Sequence, residues 1–310
     1  MGRTPSHADE RIAQHKADRK RKKDREDGLL SQTLDAQYAG DTFGSCTNVG
    51  CVREHNEDSL LVRPPLYIVA DGMGGHAAGE VASEIAVQTI AHQAPSRPNP
   101  EALGYAVESA NTEIICAANS GRGRQGMGTT VTAAMIEGTR LVLAQVGDSR
   151  AYLLHQGVLQ QLTRDHSLMA DMIDAGEITP EEAKFHPQRS VITRALGASP
   201  YTRPDLYDMD VSSGDRLLLC SDGLSGMVED SDIENTLRII EDPQRCANRL
   251  VSQAIRNGGQ DNVTAIVVDI LGGPASSLRG LSKRTVIILL IVLLLLVVLA
   301  GTFIGIAALS

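Results

Sequence analysis

The stretch "TTVTAAMIEGTRLVLAQVGDSRAYLLHQGVLQQLT", from Thr129 to Thr163, contains four short apolar runs. Turn residues separate the runs at Glu137-Gly138, Asp148-Ser149 and Gln156-Gly157. Short apolar runs between turn residues of this kind are typical of β-strands. Because links this short join antiparallel neighbours, the stretch predicts a meander.

Two later runs and four helical patterns surround this meander. "DRLLLCSD" (Asp215 to Asp222) and "NVTAIVVDI" (Asn262 to Ile270) are predicted as strands. The helical patterns cover residues 77–93, 100–119, 231–240 and 243–257. Because strands follow one another and the helices come in separate pairs, we expect class α+β, with two packed antiparallel sheets flanked by helices.

Composition excludes some classes of function. The net charge of −9 argues against nucleic acid as a partner. Aromatic residues make up 3% of the chain and Trp is absent, so a stacking platform for single strands is not expected. The five cysteines include no C-x-x-C pair, which is typical of reduced thiols in a cytosolic domain.

The N-terminal zone, residues 1–40, is polar and basic. It contains "KADRKRKKDRED" from Lys16 to Asp27, with seven Lys and Arg residues between Lys16 and Arg25. No apolar core of a secretory signal is present. Two interpretations stay open: a solvated, disordered arm, and a basic patch that lies on anionic membrane lipid.

The C-terminal zone predicts a membrane anchor. Residues 285–309 carry no charge and contain about 24 apolar residues, roughly 36 Å as a helix, which is enough to span a bilayer. Lys283 and Arg284 precede this segment, so the positive-inside rule predicts a single-pass protein of the cell membrane with its main domain in the cytoplasm. Residues 272–284 are predicted to be a linker, and residues 45–271 form the main domain.

A strand from Tyr67 to Ala70 leads into Asp71 and then a glycine-rich turn. The turn, residues 72–77, fits the dinucleotide pattern G-x-G-x-x-A. However, Asp71 would repel a pyrophosphate, and the segment after the next helix is a second helix rather than a parallel strand. We therefore interpret Asp71 as a residue that holds a cation.

Further acids stand at the edges of apolar strands. They are Glu57 and Asp58 before "SLLV", Asp222 after "LLLCS" and Asp261 before "NVTAIVV". A single such acid is usually a turn or cap residue. Several together repel one another unless a cation holds them, and oxygen ligands without His or Cys indicate Mg²⁺ or Mn²⁺. Two such ions can activate water and bind a phosphoryl group.

Seven segments, in this order, resemble the PPM family of metal-dependent (type-2C) serine/threonine protein phosphatases in its bacterial form. They are "VREHNEDSLLV" (52–62), "VADGMGGHAAGE" (69–80), "MGTTV" (127–131), "QVGDSRAYLL" (145–154), "LTRDHSL" (162–168), "LCSDGLSGMV" (219–228) and "DNVTAIVV" (261–268). The resemblance covers the domain 45–271 and implies a four-layer αββα sandwich.

The resemblance also implies a metal-ligand set. Asp71 would bridge two Mn²⁺ or Mg²⁺ ions, and the carbonyl of Gly72 would bind one of them. Glu57 would serve the second ion, directly or through water. Asp222 and Asp261 would complete the shell of the first.

Three further residues take roles from the resemblance. Asp58 would orient metal-bound water, and Arg53 would bind the substrate phosphate through its planar fork of donors. Asp148 resembles the residue that holds a weaker third metal, which Asp222 would share. The resemblance thus implies Arg53, Asp58 and Asp71 as the catalytic set.

The implied reaction is hydrolysis of phosphoserine and phosphothreonine in proteins by a metal-bridging water, opposing cytosolic Ser/Thr kinases. Met73 stands where many relatives have a proton-donating His, so the donor to the leaving group stays open between a metal-bound water and His76. Residues 165–197 resemble the flap of the family, a mobile cover beside the site. The alternative functions are a catalytically silent phosphoprotein-binding module at the membrane and a general metal hydrolase of small phosphate esters.

Overall fold

The computed structural model describes residues 43–74, 78–121 and 123–271. The predicted basic arm, His76, the linker 272–284 and the predicted membrane helix 285–309 all lie outside the described residues. Within the described ranges, no helix has both the length and the apolar character needed to cross a bilayer.

The described residues form strands and helices that alternate in blocks along the chain. The strands are β1 (Phe43–Asn48), β2 (Asp58–Arg63), β3 (Leu66–Met73), β4 (Gly128–Thr129), β5 (Val131–Glu137), β6 (Arg140–Val146), β7 (Arg150–His155), β8 (Val158–Gln161), β9 (Asp205–Asp210), β10 (Arg216–Cys220) and β11 (Val263–Asp269). The helices are α1 (Ala78–Gln93), α2 (Pro100–Asn119), α3 (Leu168–Asp174), α4 (Pro180–Ala183), α5 (Asp222–Ser225), α6 (Asp230–Ile239) and α7 (Pro243–Arg256).

The strands form two sheets. One has the order β1-β11-β10-β7-β8, and the other has the order β2-β3-β5-β6-β9, with β4 paired to β3. Every pair of neighbouring strands is antiparallel. Helices α1 and α2 pack on the β2–β9 sheet, and α7 packs on β1 and β11. The prediction of two antiparallel sheets flanked by helices is confirmed.

Three apolar clusters separate these layers, and the alternation of side chains along each strand supplies them. In β3, Tyr67 and Val69 belong to the cluster between the sheets, whereas Ile68 and Ala70 belong to the cluster beneath α1 and α2. A third cluster lies beneath α6 and α7. Burial on both faces explains why these strands consist of nearly continuous apolar runs.

The prediction of one continuous meander was wrong at the turn 147–149. Strand β6 pairs with β5 and β9, whereas β7 pairs with β8 and β10 in the other sheet. Gly147 has a φ of +106°, and a Cβ there would lie 2.5 Å from Cβ of Thr130. A short link permits hairpin pairing but does not require it. Strands β6 and β7 can be buried equally well when the chain crosses from one sheet to the other. This turn therefore places Asp148 where the chain passes between the sheets.

Sequence patterns also missed the edge strand β9. Its sequence "DLYDMD" is half acidic, which is unfavourable for a strand, although its exposure alternates as expected for an edge. The strand is formed because β6 offers an open edge, and it pairs with β6 from Gln145 to Arg140. Acidic residues on an outermost strand face water and cost little.

A partly buried ion pair joins the end of helix α6 to the β1–β8 sheet. Arg216 on β10 donates to both carboxylate oxygens of Asp269 on β11, at 2.6 and 3.1 Å. Its guanidinium also donates to the carbonyls of Leu237, Ile240 and Glu241, at 2.8, 2.5 and 2.5 Å. These carbonyls at the end of a helix lack partners within the helix, so Arg216 satisfies them.

We expect Arg216→Met to lower the free energy of unfolding by about 3 kcal/mol, because it leaves buried carbonyls and a partly buried carboxylate without a donor. The matched control is Arg140→Met, since Arg140 makes the same two-bond contact to Asp208 but both side chains are more than a third exposed. There we expect less than about 1 kcal/mol. Urea denaturation of both variants measures the difference, and equal losses would contradict this account.

Candidate metal centre

Strand alternation brings two predicted carboxylates face to face. Asp71 has the same parity as Tyr67 and Val69, so its side chain extends from the inter-sheet face of β3. Asp58 lies directly opposite Asp71 on β2. Like charges at directly opposed positions of a sheet are destabilising.

Asp58 is also held by the other sheet. Its Oδ2 accepts hydrogen bonds from Ser221 Oγ at 2.8 Å and from Thr264 Oγ1 at 2.7 Å. Its Oδ1 is buried and has no hydrogen-bond partner among the described residues. One oxygen of Asp58 is thus fixed by hydroxyl groups, and the other is left available to a ligand.

The backbone of Asp71 is fixed by two threonines. Asp71 N donates to Thr130 Oγ1 at 3.0 Å, and its carbonyl accepts from Thr130 N and Thr129 Oγ1, both at 2.9 Å. Thr130 Oγ1 also lies 2.7 Å from Ser149 Oγ, beside Asp148. Sequence reasoning quoted "MGTTV" only as a motif and gave these hydroxyls no role. The sequence feature that could have indicated this role is the pair of polar residues directly before an apolar strand.

Gly72 is a close-approach glycine. A Cβ at this position would lie 2.2 Å from the carbonyl oxygen of Gly79 and 2.5 Å from that of Glu57. Gly72 N donates to the carbonyl of Glu57 at 3.2 Å. The glycine therefore lets the start of α1 and the residue before β2 approach the end of β3, and places Glu57 next to Gly72.

Two more predicted acids come from the other sheet and the crossing turn. Asp222 begins α5 directly after β10, and Asp148 lies in the turn between β6 and β7. The Oδ1 atoms of both are buried without a hydrogen-bond partner in the part of the chain that the structure describes. The side chains of Asp222 and Asp71 lie close enough for each to shift the pKa of the other.

Burial and mutual repulsion shift the pKa values of these four carboxyls upward. Burial, with the charge of Asp222 adding to it, raises the pKa of Asp58 and of Asp148 to about 7. Burial raises the pKa of Asp71 well above its usual range, and Asp58, Asp222 and Asp148 raise it further. The pKa of Asp222 is raised by burial and by Asp261. A group of acids that cannot all ionise together is the electrostatic signature of a cation site.

Arg53 and Asp261 lie at the rim of this acidic group. Arg53 Nη2 donates to Asp261 Oδ2 at 2.7 Å, and half of the Arg53 side chain is exposed. The pKa of Arg53 is raised by this hydrogen bond and by the charges of Asp261, Glu57 and Asp71. The structure thus brings the predicted phosphate-binding residue next to the predicted ligands.

Asn262 organises this rim, and sequence reasoning missed it. Its Oδ1 accepts from Glu57 N at 2.7 Å, and its Nδ2 donates to the carbonyls of Val49 and His55 at 2.9 and 3.0 Å. One amide therefore anchors the loop that carries Arg53 and Glu57. The sequence feature that could have indicated this role is the Asp261-Asn262 pair directly before strand β11.

These residues fit a divalent cation by their chemistry. The donors are all oxygens, which suits Mg²⁺ and Mn²⁺, and three of the carboxylate oxygens are buried without partners. As the side chains stand, no three His, Cys, Asp or Glu residues within 43–74, 78–121 and 123–271 are grouped closely enough to hold an ion. A bound cation would offset the repulsion among these carboxylates, which otherwise disfavours their closer approach.

Comparisons with known proteins agree with a site that binds divalent cations. Residues 53–257 match the family profile described as protein phosphatase 2C. The serine/threonine protein phosphatase PstP of Mycobacterium tuberculosis is 45% identical over 232 residues, which cover 74% of this chain but 45% of PstP, so the match spans less than half the length of that relative. The serine/threonine phosphatase stp of Listeria innocua is 39% identical over 72% of this chain and 93% of its own length.

Solved structures are also similar. The crystal structure of Mycobacterium tuberculosis PstP/Ppp superposes with a TM-score of 0.71 at 44% identity, covering 74% of this chain and 98% of the other. The catalytic domain of PstP in complex with two manganese ions gives a TM-score of 0.68 at 42% identity, covering 74% and 97%. The manganese ions belong to that structure.

We expect the stability of the metal-free protein to depend on pH through Asp148. A carboxyl whose pKa is about 7 when folded and near 3.8 when unfolded favours folding while it is protonated, and this contribution is lost as pH rises through 7. Asp148→Asn should therefore raise the thermal midpoint relative to the parent by an amount that grows between pH 4.5 and pH 8. We expect growth of about 2–8 °C, which corresponds to about 1–2 kcal/mol.

Scanning calorimetry in EDTA measures this difference. The control is Asp208→Asn, because Arg140 lowers the pKa of the exposed Asp208 carboxyl and its substitution should act in the opposite direction or not at all. A difference between Asp148→Asn and the parent that is constant over this pH range would contradict the burial argument.

Proposed function

We propose that this chain, which belongs to the protein phosphatase 2C family, is a metal-dependent serine/threonine protein phosphatase. The observation that carries the proposal is the convergence of Asp58, Asp71, Asp148 and Asp222 from both sheets, with unpartnered buried oxygens on three of them. Burying such a group of carboxylates costs folding free energy, and a bound cation would offset that cost.

The proposed ligands are the residues that the motifs indicated. Asp71, the Gly72 carbonyl, Glu57, Asp222 and Asp261 hold a pair of Mn²⁺ or Mg²⁺ ions. Asp148, together with Asp222, holds a weaker third ion. When bound, the ions supply an activated water and neutralise charge on the phosphoryl group.

Asp58 orients the attacking water. Its Oδ2 is occupied by the hydroxyls of Ser221 and Thr264, so the proton acceptor presented to the site is Oδ1. In the metal-free protein burial raises the pKa of Asp58 to about 7. Bound cations would favour its ionised form, in which Oδ1 can accept a hydrogen bond from the water. Because the attacking group in this reaction is water, no nucleophilic side chain is needed.

Arg53 binds the phosphate of the substrate. The hydrogen bond to Asp261 uses one of its five N–H groups, and the exposed side chain leaves the others free to turn toward phosphate oxygens. The contact with Asp261 also ties the position of Arg53 to a proposed metal ligand. Substrate binding and metal binding are then linked through this pair.

The substrates we propose are proteins that carry phosphoserine or phosphothreonine, and the opposing enzymes are cytosolic Ser/Thr kinases. The uncharged segment 285–309 supports a single-pass anchor in the cell membrane, with the catalytic domain on the cytoplasmic side, where membrane lipid is the nearest partner.

We expect the full chain to hydrolyse phosphothreonine peptides in Mn²⁺, and Asp222→Asn to reduce kcat/KM by at least about 100-fold, because the substitution weakens the hold on the ions. Asp208→Asn, an exposed acid on the edge strand β9, is the control and should leave turnover unchanged. Circular dichroism checks that both variants fold. Unchanged turnover in Asp222→Asn would contradict the ligand assignment. Wild-type chain that binds phosphopeptide without hydrolysing it would favour the silent binding module.

We expect the full chain to remain with the membrane fraction after a carbonate wash. The double substitution Leu293→Arg and Leu296→Arg should release it, because each charge at the centre of a spanning helix costs about 2.5–3.5 kcal/mol of insertion. Leu293→Ala with Leu296→Ala is the matched control and should stay with the membrane. Wild-type chain found wholly in the wash would overturn the anchor.

A further inference from the structure

His166 is a buried imidazole with no role in the reaction described above. It lies between β8 and α3 and its side chain is 1% exposed. Two hydrogen bonds join it to Gly147: Gly147 N donates to His166 Nδ1 at 3.0 Å, and His166 N donates to the Gly147 carbonyl at 2.9 Å. The His166 ring therefore holds the N–H of the residue that precedes Asp148, while the Gly147 carbonyl also accepts from Gln145 Nε2 at 2.5 Å.

The hydrogen bonds define the tautomer of this ring. Since Nδ1 accepts a hydrogen bond from Gly147, the proton lies on Nε2, which donates to Asp205 Oδ2 at 3.1 Å. Asp205 in turn accepts from Arg194. Burial lowers the pKa of His166, which favours the neutral ring. The ring is thus held at both nitrogens.

Gly147 needs this support. Its φ of +106° is a conformation that side chains disfavour, and the residue sits in the crossing turn between the sheets. On the far side of the turn, Arg150 donates to Asp165 through Nε and Nη2 at 2.9 and 2.7 Å. Two consecutive residues, Asp165 and His166, therefore fix the turn at both ends.

Asp148 depends on its backbone for its direction. Its Oδ1 is buried and without a hydrogen-bond partner within the described ranges. The carboxyl also hydrogen-bonds with the backbone of Asp148 itself, so the conformation of the turn helps to determine where Oδ1 points. A shift at Gly147 would move the carboxylate directly.

We propose that His166 is a positioning residue, which holds Gly147 and thereby aims the Asp148 carboxylate at the divalent-ion site. This inference rests on the proposed function only in taking Asp148 as a ligand. It assigns a specific task to the His of "LTRDHSL", a motif that sequence reasoning left without one.

Two amide substitutions separate the two hydrogen bonds of the ring. In His166→Asn the amide oxygen replaces Nδ1 and preserves the acceptor for Gly147, whereas in His166→Gln the longer amide replaces Nε2 and preserves the contact with Asp205. Mn²⁺ binding is measured by titration calorimetry on the full chain, without substrate. We expect His166→Gln to weaken the weakest Mn²⁺ site by about 10-fold, as for one lost hydrogen bond, and His166→Asn to weaken it by less than about 3-fold.

A merely structural role predicts a different result. Both variants lose one hydrogen bond, so a general loosening would weaken Mn²⁺ binding equally in both, or in neither, and either outcome overturns the proposal. The effect of His166→Gln should also vanish in an Asp148→Asn background, because His166 acts through that carboxylate. Additive effects in this double-mutant cycle would overturn it as well.

Nitrogen-15 NMR of the histidine ring gives a readout that needs neither metal nor turnover. We expect Nδ1 of His166 to have the chemical shift of an unprotonated nitrogen, and Nε2 that of a protonated one. A proton on Nδ1 would overturn the proposal, since Gly147 would then lack its acceptor. Failure of phosphopeptide hydrolysis, with these Mn²⁺ and NMR results intact, would instead count against the proposed function alone.

Discussion

The repulsion among buried carboxylates is the constraint on which the rest of this structure depends. Asp58 and Asp71 oppose each other across a strand pair, and Asp148 and Asp222 add charge from a turn and from the second sheet. Folding must hold these groups near one another although each raises the pKa of its neighbours. The two sheets do so by fixing backbone and hydroxyl groups around the acids while several carboxylate oxygens stay unpartnered.

The two-sheet architecture therefore also takes part in forming the acid group. Thr264 on β11 and Ser221, the residue after β10, donate to Asp58 of the other sheet, so the acid group also joins the layers at this end. The crossing between β6 and β7 serves the same end, because a hairpin there would have kept Asp148 within a single sheet. A turn that looks like an ordinary Asp-Ser hairpin thus contributes to both topology and chemistry.

Much of this could be predicted from the sequence, and the failures have physical causes. The helix 100–119 was predicted with its observed ends. In the structure Asn99 caps this helix and Pro100 is its first residue. The acids were found because a carboxylate beside an apolar strand is unusual. The assignment of β6 and β7 to different sheets could not be predicted, because local sequence patterns do not reveal which sheet a buried strand joins. Asn262 and His166 were missed as working groups because their roles consist of hydrogen bonds to backbone atoms distant in sequence.

The edge strand β9 has one more consequence. Asp208 and Asp210 are exposed along an outermost strand, whose free backbone groups would otherwise invite another chain to add a strand of its own. An incoming segment would have to bring its own backbone alongside these negative charges, and a second copy of the same strand would face its own charges. The acidity that made β9 hard to recognise thus disfavours edge-to-edge aggregation.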